Sequence, residues 1–175
     1  PRPKGIMPAT DYQSLIDAPT WAFIRRTEAC YPTDAANRSI AEQRVIYDAM
    51  ARAFHRGYPP GITAGDETIA GVPCRIYQGR LPTVIYLHGG GFIMGGLHSH
   101  DDICAELCAR TGYEIVSVDY LLAPENLHPA AFDDALAAFE WAADAYANPI
   151  LLAGDSAGGN LAAAVSHATR SHQRA

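Results

Sequence analysis

A serine lies between glycines near the end of the printed sequence, in the segment Gly154-Asp155-Ser156-Ala157-Gly158. This G-x-S-x-G spacing is typical of a sharp turn that joins a strand to a helix and holds a nucleophilic serine at the strand's carboxyl end. A side chain at Gly154 or Gly158 would collide with the neighbouring backbone in such a turn. The flanking segments PILLAG and NLAAAVSHA provide the required strand and helix. Ser156 is therefore a candidate nucleophile.

A second glycine-rich segment, HGGGF at residues 88–92, directly follows the apolar run TVIYL. Acyl transfer passes through a tetrahedral oxyanion, and backbone N–H groups reach that oxygen best where glycine lets the chain approach closely. HGGG segments supply such N–H groups in lipases and esterases. The alternative is that Gly89 and its two following glycines form only a flexible loop. We expect His88 to orient backbone carbonyls without titrating in a reaction.

The segments around both motifs alternate between strands and helices. Apolar and β-branched runs predict strands in PCRIYQ, TVIYL, YEIVSVDY and PILLAG, and helical spacing predicts helices in DDICAELCARTG and AAFDDALAAFEWAADAY. Ser99, with Asp102 three residues later, predicts the N-cap of the first of these helices, which Gly112 ends. Apolar strands that alternate with helices indicate a parallel sheet covered on both faces, so the predicted fold class is α/β.

The segment before these strands is predicted to be helical. Apolar residues recur at the spacing of one helix face over residues 45–54, and Gly57 and Pro59 stop the pattern. A shorter helix is expected in DYQSLIDAPTWAFIRRTEA. The residues of the longer face are Val45, Ile46, Ala49, Met50, Ala53 and Phe54.

Composition and charge exclude several classes of function. The 175 residues are 49% hydrophobic and 18% charged, which is typical of one globular domain. A net charge of -6 without a block of basic residues argues against nucleic-acid binding. The N-terminal sequence lacks the pattern of a signal peptide, and no apolar run approaches the roughly 18 residues of a membrane span. We therefore expect neither a nucleic acid nor a membrane as partner.

The cysteine spacing favours structural thiols. Two of the four cysteines lie one helical turn apart in DICAELCAR, which resembles the buried face of a helix more than a zinc or redox motif. Unpaired thiols indicate a reducing compartment, so we expect the cytoplasm. The four are Cys30, Cys74, Cys104 and Cys108.

Four segments together, HGGGF, HSHDDICAELC, VSVDYLLAPENLHPAAFDDA and GDSAGGN, resemble the hormone-sensitive-lipase-like bacterial carboxylesterases. The similarity runs from about Pro73 to His167 in the order and spacing of that family. It implies an α/β-hydrolase fold, with an N-terminal helical cap segment at residues 1–58 and the N-terminal half of the catalytic domain at residues 59–175.

The same resemblance implies roles for individual residues. Ser156 is the implied nucleophile, and the backbone N–H groups of Gly90, Gly91 and Ala157 are the implied oxyanion hole. The implied substrates are esters of short to medium acyl chains, hydrolysed without a cofactor or a metal. Phe92 is a candidate for part of the substrate pocket.

One departure from the family lies in the segment after the third predicted strand. The family reads Asp-Tyr-Arg-Leu-Ala-Pro-Glu, whereas Leu121 replaces the arginine here. Because a buried, unpaired carboxylate is costly, Asp119 or Glu125 should find another donor or face water.

A larger departure concerns the general base. In the family, the acidic residue and the histidine of the triad follow the serine far downstream. His167 lies roughly 16 Å from Ser156 along a helix that rises about 1.5 Å per residue, so we expect it and His172 to be surface residues. His98 and His100, with Asp101 and Asp102, could suggest a metal site, but the resemblance places them at a helix start instead.

The missing triad residues predict a further part of the protein. PILLAG is typical of an interior parallel strand, and an exposed apolar sheet edge would aggregate. We expect a C-terminal part with an Asp or Glu and a His, as a second polypeptide or a continuation of this one, to dock noncovalently. Without it, residues 1–175 should be nearly inactive. A homodimer through strands of that part is compatible with the resemblance.

Two alternatives stay open at this point. One is a ligand-binding protein on the same scaffold, as in the plant gibberellin receptors, which resemble these esterases but lack a working triad. The other is an arylformamidase, whose loop usually reads His-Gly-Gly-x-Trp, a pattern that Phe92 disfavours.

Overall fold

A five-stranded sheet forms the centre of the computed structural model, which describes residues 12–171. The strand order is β1-β2-β4-β3-β5. The alternation of apolar runs and helices therefore produces the predicted sheet, with one strand more than the sequence pattern indicated. The strands are β1 (Ala64–Ile69), β2 (Val72–Tyr77), β3 (Arg80–Leu87), β4 (Tyr113–Val118) and β5 (Ile150–Gly154).

The register of the parallel strands aligns their carboxyl ends. Leu87 at the end of β3 pairs with Val118 of β4 on one side and with Gly154 of β5 on the other. The segments that follow these three strands therefore leave the sheet at the same edge. They include HGGGF after β3 and the Ser156 turn after β5. The strands β1 and β2 extend the sheet with antiparallel pairing, so the sheet is mixed.

Helices cover both faces of the sheet, as predicted. Buried Cys104, Ala105 and Cys108 of α4 pack on one face, and α5 and α6 pack on the other. Buried Phe139 of α5 and Leu161 of α6 belong to that second core. The helices are α1 (Tyr12–Leu15), α2 (Ala18–Glu28), α3 (Ile40–Phe54), α4 (Asp101–Thr111), α5 (Ala130–Ala145) and α6 (Ala157–Ala168), with a short 3-10 helix at Ala35–Asn37.

The start of α4 differs from the sequence prediction. The N-cap is His100, one residue later than the predicted Ser99, and its side chain does not cap the helix. The Ser99 hydroxyl instead donates to the carbonyl of Gly96 and accepts from its N–H, each at 3.0 Å. A local turn therefore competes successfully with the cap for the serine. The predicted end at Gly112 is confirmed, since this residue has φ of +71°.

The helical N-terminal segment is confirmed, but its predicted apolar face is only partly buried. Ile46 is buried, whereas Val45 is 64% exposed. Ser39 and Glu42 form a capping box that fixes the start of α3. No helix between residues 12 and 171 is long and apolar enough to cross a membrane.

Asp101 connects this segment to the sheet. Its Oδ1 accepts hydrogen bonds from the hydroxyls of Tyr77 (2.6 Å) and Tyr58 (2.8 Å), and from the guanidinium of Arg75 (3.0 Å). Its Oδ2 lies 3.1 Å from Nε2 of His55 at the end of α3. These contacts fix the first turn of α4 against β2 and the residues that follow α3.

The outer edge of β5 carries no strand within the described residues. Leu151 on this strand is 41% exposed. A shallow apolar cavity of about 300 Å³ lies beside it, between Ile150, Leu152 and Ala162. This surface has the composition of a sheet interior.

Candidate active site

The turn at Ser156 has the geometry expected of a nucleophile turn. Ser156 has φ of +50° and ψ of -117° and is exposed, directly between β5 and the first residue of α6. A Cβ atom on Gly158 would lie 1.8 Å from the carbonyl oxygen of Leu87, and one on Gly154 would lie 2.5 Å from the same oxygen. Both flanking positions therefore exclude side chains, which confirms the steric prediction. Among residues 12–171, none hydrogen-bonds to the Ser156 hydroxyl.

The HGGGF segment folds into a tight loop beside this turn. The N–H groups of Ile93 and Met94 donate to the carbonyl of Gly90, at 3.1 and 2.9 Å. Gly90 has φ of +130°, and a Cβ atom there would lie 2.0 Å from the carbonyl oxygen of Met94. The loop thus requires glycine at this position.

Three backbone donors at this site have no acceptor within the described part of the chain. They belong to Gly90, Gly91 and Ala157, the residues that the family resemblance implies for an oxyanion hole. Ala157 is the first residue of α6, where the helix leaves its N–H groups unpaired. Such donors can stabilise an anion that develops next to Ser156.

The carboxylate of Asp155 connects the Ser156 turn to the HGGGF loop. Its Oδ1 accepts hydrogen bonds from the N–H of Gly89 and from the hydroxyl of Tyr86, both at 2.9 Å. A Cβ atom on Gly89 would lie 2.1 Å from Oδ2 of the same carboxylate. The residue before Ser156 therefore holds the glycine loop in place, a role that the motif spacing alone did not indicate.

His88 is buried beneath this loop. Its Nδ1 lies 2.8 Å from the carbonyl oxygen of Gly89, and its ring stacks on Tyr120 at 4.2 Å between centroids. The Tyr120 hydroxyl donates to the His88 carbonyl at 2.6 Å. Burial lowers the pKa of His88 to about 4. This environment supports the structural role predicted for His88, with a neutral ring whose proton lies on Nδ1.

The lowered pKa of His88 predicts acid sensitivity of the fold. Between the ordinary value near 6.5 and about 4, the unfolded chain binds a proton at this site that the folded chain does not. The contribution of His88 to the free energy of unfolding should therefore decrease by about 3 kcal/mol as the pH falls through this range.

Urea unfolding at several pH values, compared with His88→Gln, measures this contribution. The comparison also removes the opposite effect of Asp119, whose pKa burial raises. A wild-type curve that runs parallel to that of the variant from pH 7 to 4 would contradict the burial argument.

Arg44 of α3 binds Glu125, in a segment where Leu121 stands in place of the family's arginine. Its guanidinium contacts both carboxylate oxygens of Glu125, at 3.0 and 2.7 Å. It also donates to the carbonyls of Ile93 (2.7 Å) and Ala123 (2.8 Å). The expectation that Glu125 finds another donor is confirmed, although no pattern in α3 singled out Arg44.

The other carboxylate, Asp119, is half-buried. Burial raises its pKa, and a hydrogen bond from the backbone of Leu97 opposes that shift. A Cβ atom on Gly96 would lie 2.9 Å from its Oδ1. Asp119 therefore faces the backbone after the glycine loop.

Replacement of Arg44 by methionine should lower the free energy of unfolding by about 1–2 kcal/mol, because the carbonyls of Ile93 and Ala123 lose a charged donor. The ion pair itself contributes little, since 57% of the Glu125 side chain is exposed. Thermal or urea unfolding measures the change. Arg110→Met is the control, because Arg110 pairs with Glu106 at 2.8 Å but is 79% exposed. Equal stability of the two variants would contradict this assignment.

Phe92 lines an apolar cavity of about 370 Å³ next to the site. Leu121 forms another part of the wall, and Asn160 and Leu161 contribute from the first turns of α6. The N–H of Ala123 donates to the Phe92 carbonyl at 2.8 Å, which fixes this wall to the glycine loop. The predicted substrate-contacting residue therefore lies on a concave apolar surface.

The histidines and carboxylates of the HSHDD segment contact different neighbours and do not form one cluster. His100 lies 3.3 Å from Asp155, and His98 is exposed. Asp101 accepts hydrogen bonds from Tyr77 of β2 and from Tyr58. Within the described range, no group of three or more His, Cys, Asp or Glu side chains could hold a metal ion. His167 is exposed in the last turn of α6, and His172 lies outside the described residues.

We compared the chain with protein-family models and with known proteins. A family model described as alpha/beta hydrolase fold matches residues 84–175, more than half of the chain. The chain therefore belongs to the alpha/beta hydrolase family.

Its relatives include several esterases. Carboxylesterase NlhH of Mycobacterium tuberculosis (strain ATCC 25618 / H37Rv) is 40% identical over 119 residues, which are 62% of this chain and 37% of that protein. An esterase from the bacterial hormone-sensitive lipase family aligns with a TM-score of 0.79 and 27% identity, over 91% of this chain and 55% of that one. The hyperthermophilic esterase of Pyrobaculum calidifontis aligns with a TM-score of 0.71 and 36% identity, over 79% of this chain and 50% of that one.

These matches confirm the resemblance to hormone-sensitive-lipase-like esterases, of which the chain represents the N-terminal part of the fold. The chain spans about half the length of the solved esterases it matches and 37% of the length of NlhH.

Proposed function

We propose that this protein hydrolyses carboxylic esters of short to medium acyl chains, with Ser156 as the nucleophile. The observation that carries the proposal is the exposed Ser156 at positive φ, together with the N–H groups of Gly90, Gly91 and Ala157, which find no acceptor among residues 12–171. The named esterases among the relatives support the same reaction class. We place the protein in the cytoplasm, since its buried cysteines are unpaired.

In the proposed mechanism, Ser156 Oγ attacks the ester carbonyl while a histidine accepts its proton. The carbonyl oxygen becomes an oxyanion that the N–H groups of Gly90, Gly91 and Ala157 stabilise. Collapse of this intermediate breaks the ester C–O bond, and the histidine returns the proton to the departing alcohol. Water then attacks the acyl-enzyme by the same steps and releases the carboxylic acid. Loss of one oxyanion donor should raise the barrier by about 3–4 kcal/mol.

The histidine and its acidic partner are assigned to a C-terminal part of the protein. Two observations support this assignment: no residue in the described range bonds to the Ser156 hydroxyl, and the outer edge of β5 is apolar. Strands of that part would pair with β5, and its loops would bring the triad residues to Ser156. We assign residues 1–58 to a segment of the cap, of which residues 1–11 lie outside the described part of the chain. The hydrogen bond from Arg44 of α3 to the carbonyl of Ile93 supports this assignment.

Turnover of p-nitrophenyl esters by the full-length protein tests the proposal. We expect hydrolysis of acetate to octanoate esters, with lower kcat/KM for longer chains and for an aryl formamide. Measurable binding of these esters by calorimetry without turnover would overturn the proposal in favour of a ligand-binding protein. Preference for the formamide would instead indicate an arylformamidase.

A further inference from the structure

His100 is a buried histidine that the proposed mechanism does not use. Only 3% of the residue is exposed, although it lies at the N-cap of α4. Its Nε2 lies 3.3 Å from Oδ1 of Asp155, and its Nδ1 lies 2.8 Å from Oγ of Ser99. The ring also lies 5.6 Å from the ring of His88 and 6.2 Å from that of Tyr86. Both nitrogens therefore have polar neighbours, and the rings of His88 and Tyr86 lie close by.

The hydroxyl of Ser99 has one proton and two acceptors within reach. If this proton is donated to the Gly96 carbonyl, Nδ1 of His100 must donate to Oγ. If it is donated to Nδ1, the ring is neutral and its proton lies on Nε2. In the second state the proton lies on the nitrogen that faces Asp155 at 3.3 Å.

Two hydrogen-bond donors and one histidine nitrogen thus surround one oxygen of Asp155. The N–H of Gly89 and the hydroxyl of Tyr86 approach Oδ1 at 2.9 Å, and Nε2 of His100 approaches it at 3.3 Å. His100 comes from the segment before α4, whereas Gly89 belongs to the glycine loop and Asp155 to the nucleophile turn. The carboxylate is 49% exposed, so its orientation depends on these side-chain and backbone partners.

We propose that His100 is a positioning residue for the esterase reaction. It holds the Asp155 carboxylate against the N–H of Gly89 and thereby fixes the oxyanion loop relative to Ser156. This inference rests on the proposed function. A small displacement of preorganised donors costs much of their effect on the transition state, whereas it changes ground-state binding little.

Two amide substitutions separate positioning from packing. The Gln amide nitrogen reaches the position of histidine Nε2, whereas the shorter Asn amide reaches only that of Nδ1. In the full-length protein, His100→Asn should lower kcat for p-nitrophenyl butyrate about 10- to 100-fold, with KM changed less than about twofold. His100→Gln should restore most of kcat. The exposed neighbour His98 provides the control, since His98→Asn should leave kcat unchanged.

Three results would overturn the proposal. The first is a kcat for His100→Asn within twofold of wild type. The second is equal impairment of folded His100→Asn and His100→Gln. The third applies where both variants fail to fold: Tyr86→Phe removes another donor to the same oxygen, and an unchanged kcat there contradicts the positioning of Asp155. Failure of the proposed function is distinct, because the wild type itself would then hydrolyse no ester.

Discussion

Replacement of Ser156 by alanine should reduce kcat for p-nitrophenyl butyrate on the order of 10⁵- to 10⁶-fold in the full-length protein. In the proposed mechanism the alanine lacks the oxygen that forms the acyl-enzyme, while the proposed oxyanion donors of Gly90, Gly91 and Ala157 stay in place. The residual rate should therefore still exceed that of the uncatalysed reaction. Steady-state kinetics on purified protein, with thermal unfolding as the test of folding, measure the effect.

Ser171→Ala is the matched control for this experiment. Ser171 lies in the turn after α6, is exposed, and carries the same hydroxyl 15 residues beyond Ser156. It should retain wild-type kcat. An active Ser156→Ala variant, with kcat within tenfold of wild type, would assign the reaction to another nucleophile.

Replacement of Gly158 by alanine has the largest expected effect on the fold itself. The new Cβ atom would lie 1.8 Å from the carbonyl oxygen of Leu87 and 2.6 Å from that of His88. Both atoms are backbone at the end of β3, so α6 must move away from the sheet to relieve the overlap. We expect the free energy of unfolding to fall by about 3 kcal/mol or more.

Gly159→Ala is the control for Gly158→Ala. It adds the same methyl group one residue later on the same helix, where the nearest atom, the carbonyl oxygen of Gly154, lies 3.2 Å away. This variant should change the free energy of unfolding by no more than about 1 kcal/mol. Urea unfolding compares the two, and equal stabilities would show that α6 does not approach β3 as closely as described.

The local features of the site could be predicted because each depends on a few consecutive residues. The glycines around Ser156 are required by a turn of five residues, and the strand before it is a continuous apolar run. The same holds for the tight loop at Gly90.

Long-range contacts could not be predicted in this way. The hydrogen bond from Gly89 to Asp155 joins residues 66 positions apart, and that from Arg44 to Glu125 joins residues 81 positions apart. These residue types are common on exposed surfaces, so nothing in the sequence marks the pairs. Only the fold brings the partners together. The sequence indicates His100 only weakly. It belongs to the polar segment HSH directly before α4, and its side chain does not cap that helix.

Two errors in the elements have physical causes. The sequence of β1, AGDETI, does not predict a strand because it is polar. This strand is mostly exposed at the sheet edge, where burial does not select apolar residues. Ser99 was expected to cap α4, but the turn at Gly96 uses its hydroxyl instead.

Mapping the residue that reacts with a fluorophosphonate tests the central claim most directly. Such a reagent forms a stable bond only with a serine activated as a nucleophile, so it reports on the chemistry without any choice of ester. Peptide mass spectrometry of the labelled full-length protein should find a single modification, on Ser156, and the Ser156→Ala variant should remain unlabelled. A labelled serine elsewhere, or a folded protein that does not react, would contradict the assignment of Ser156 as the nucleophile.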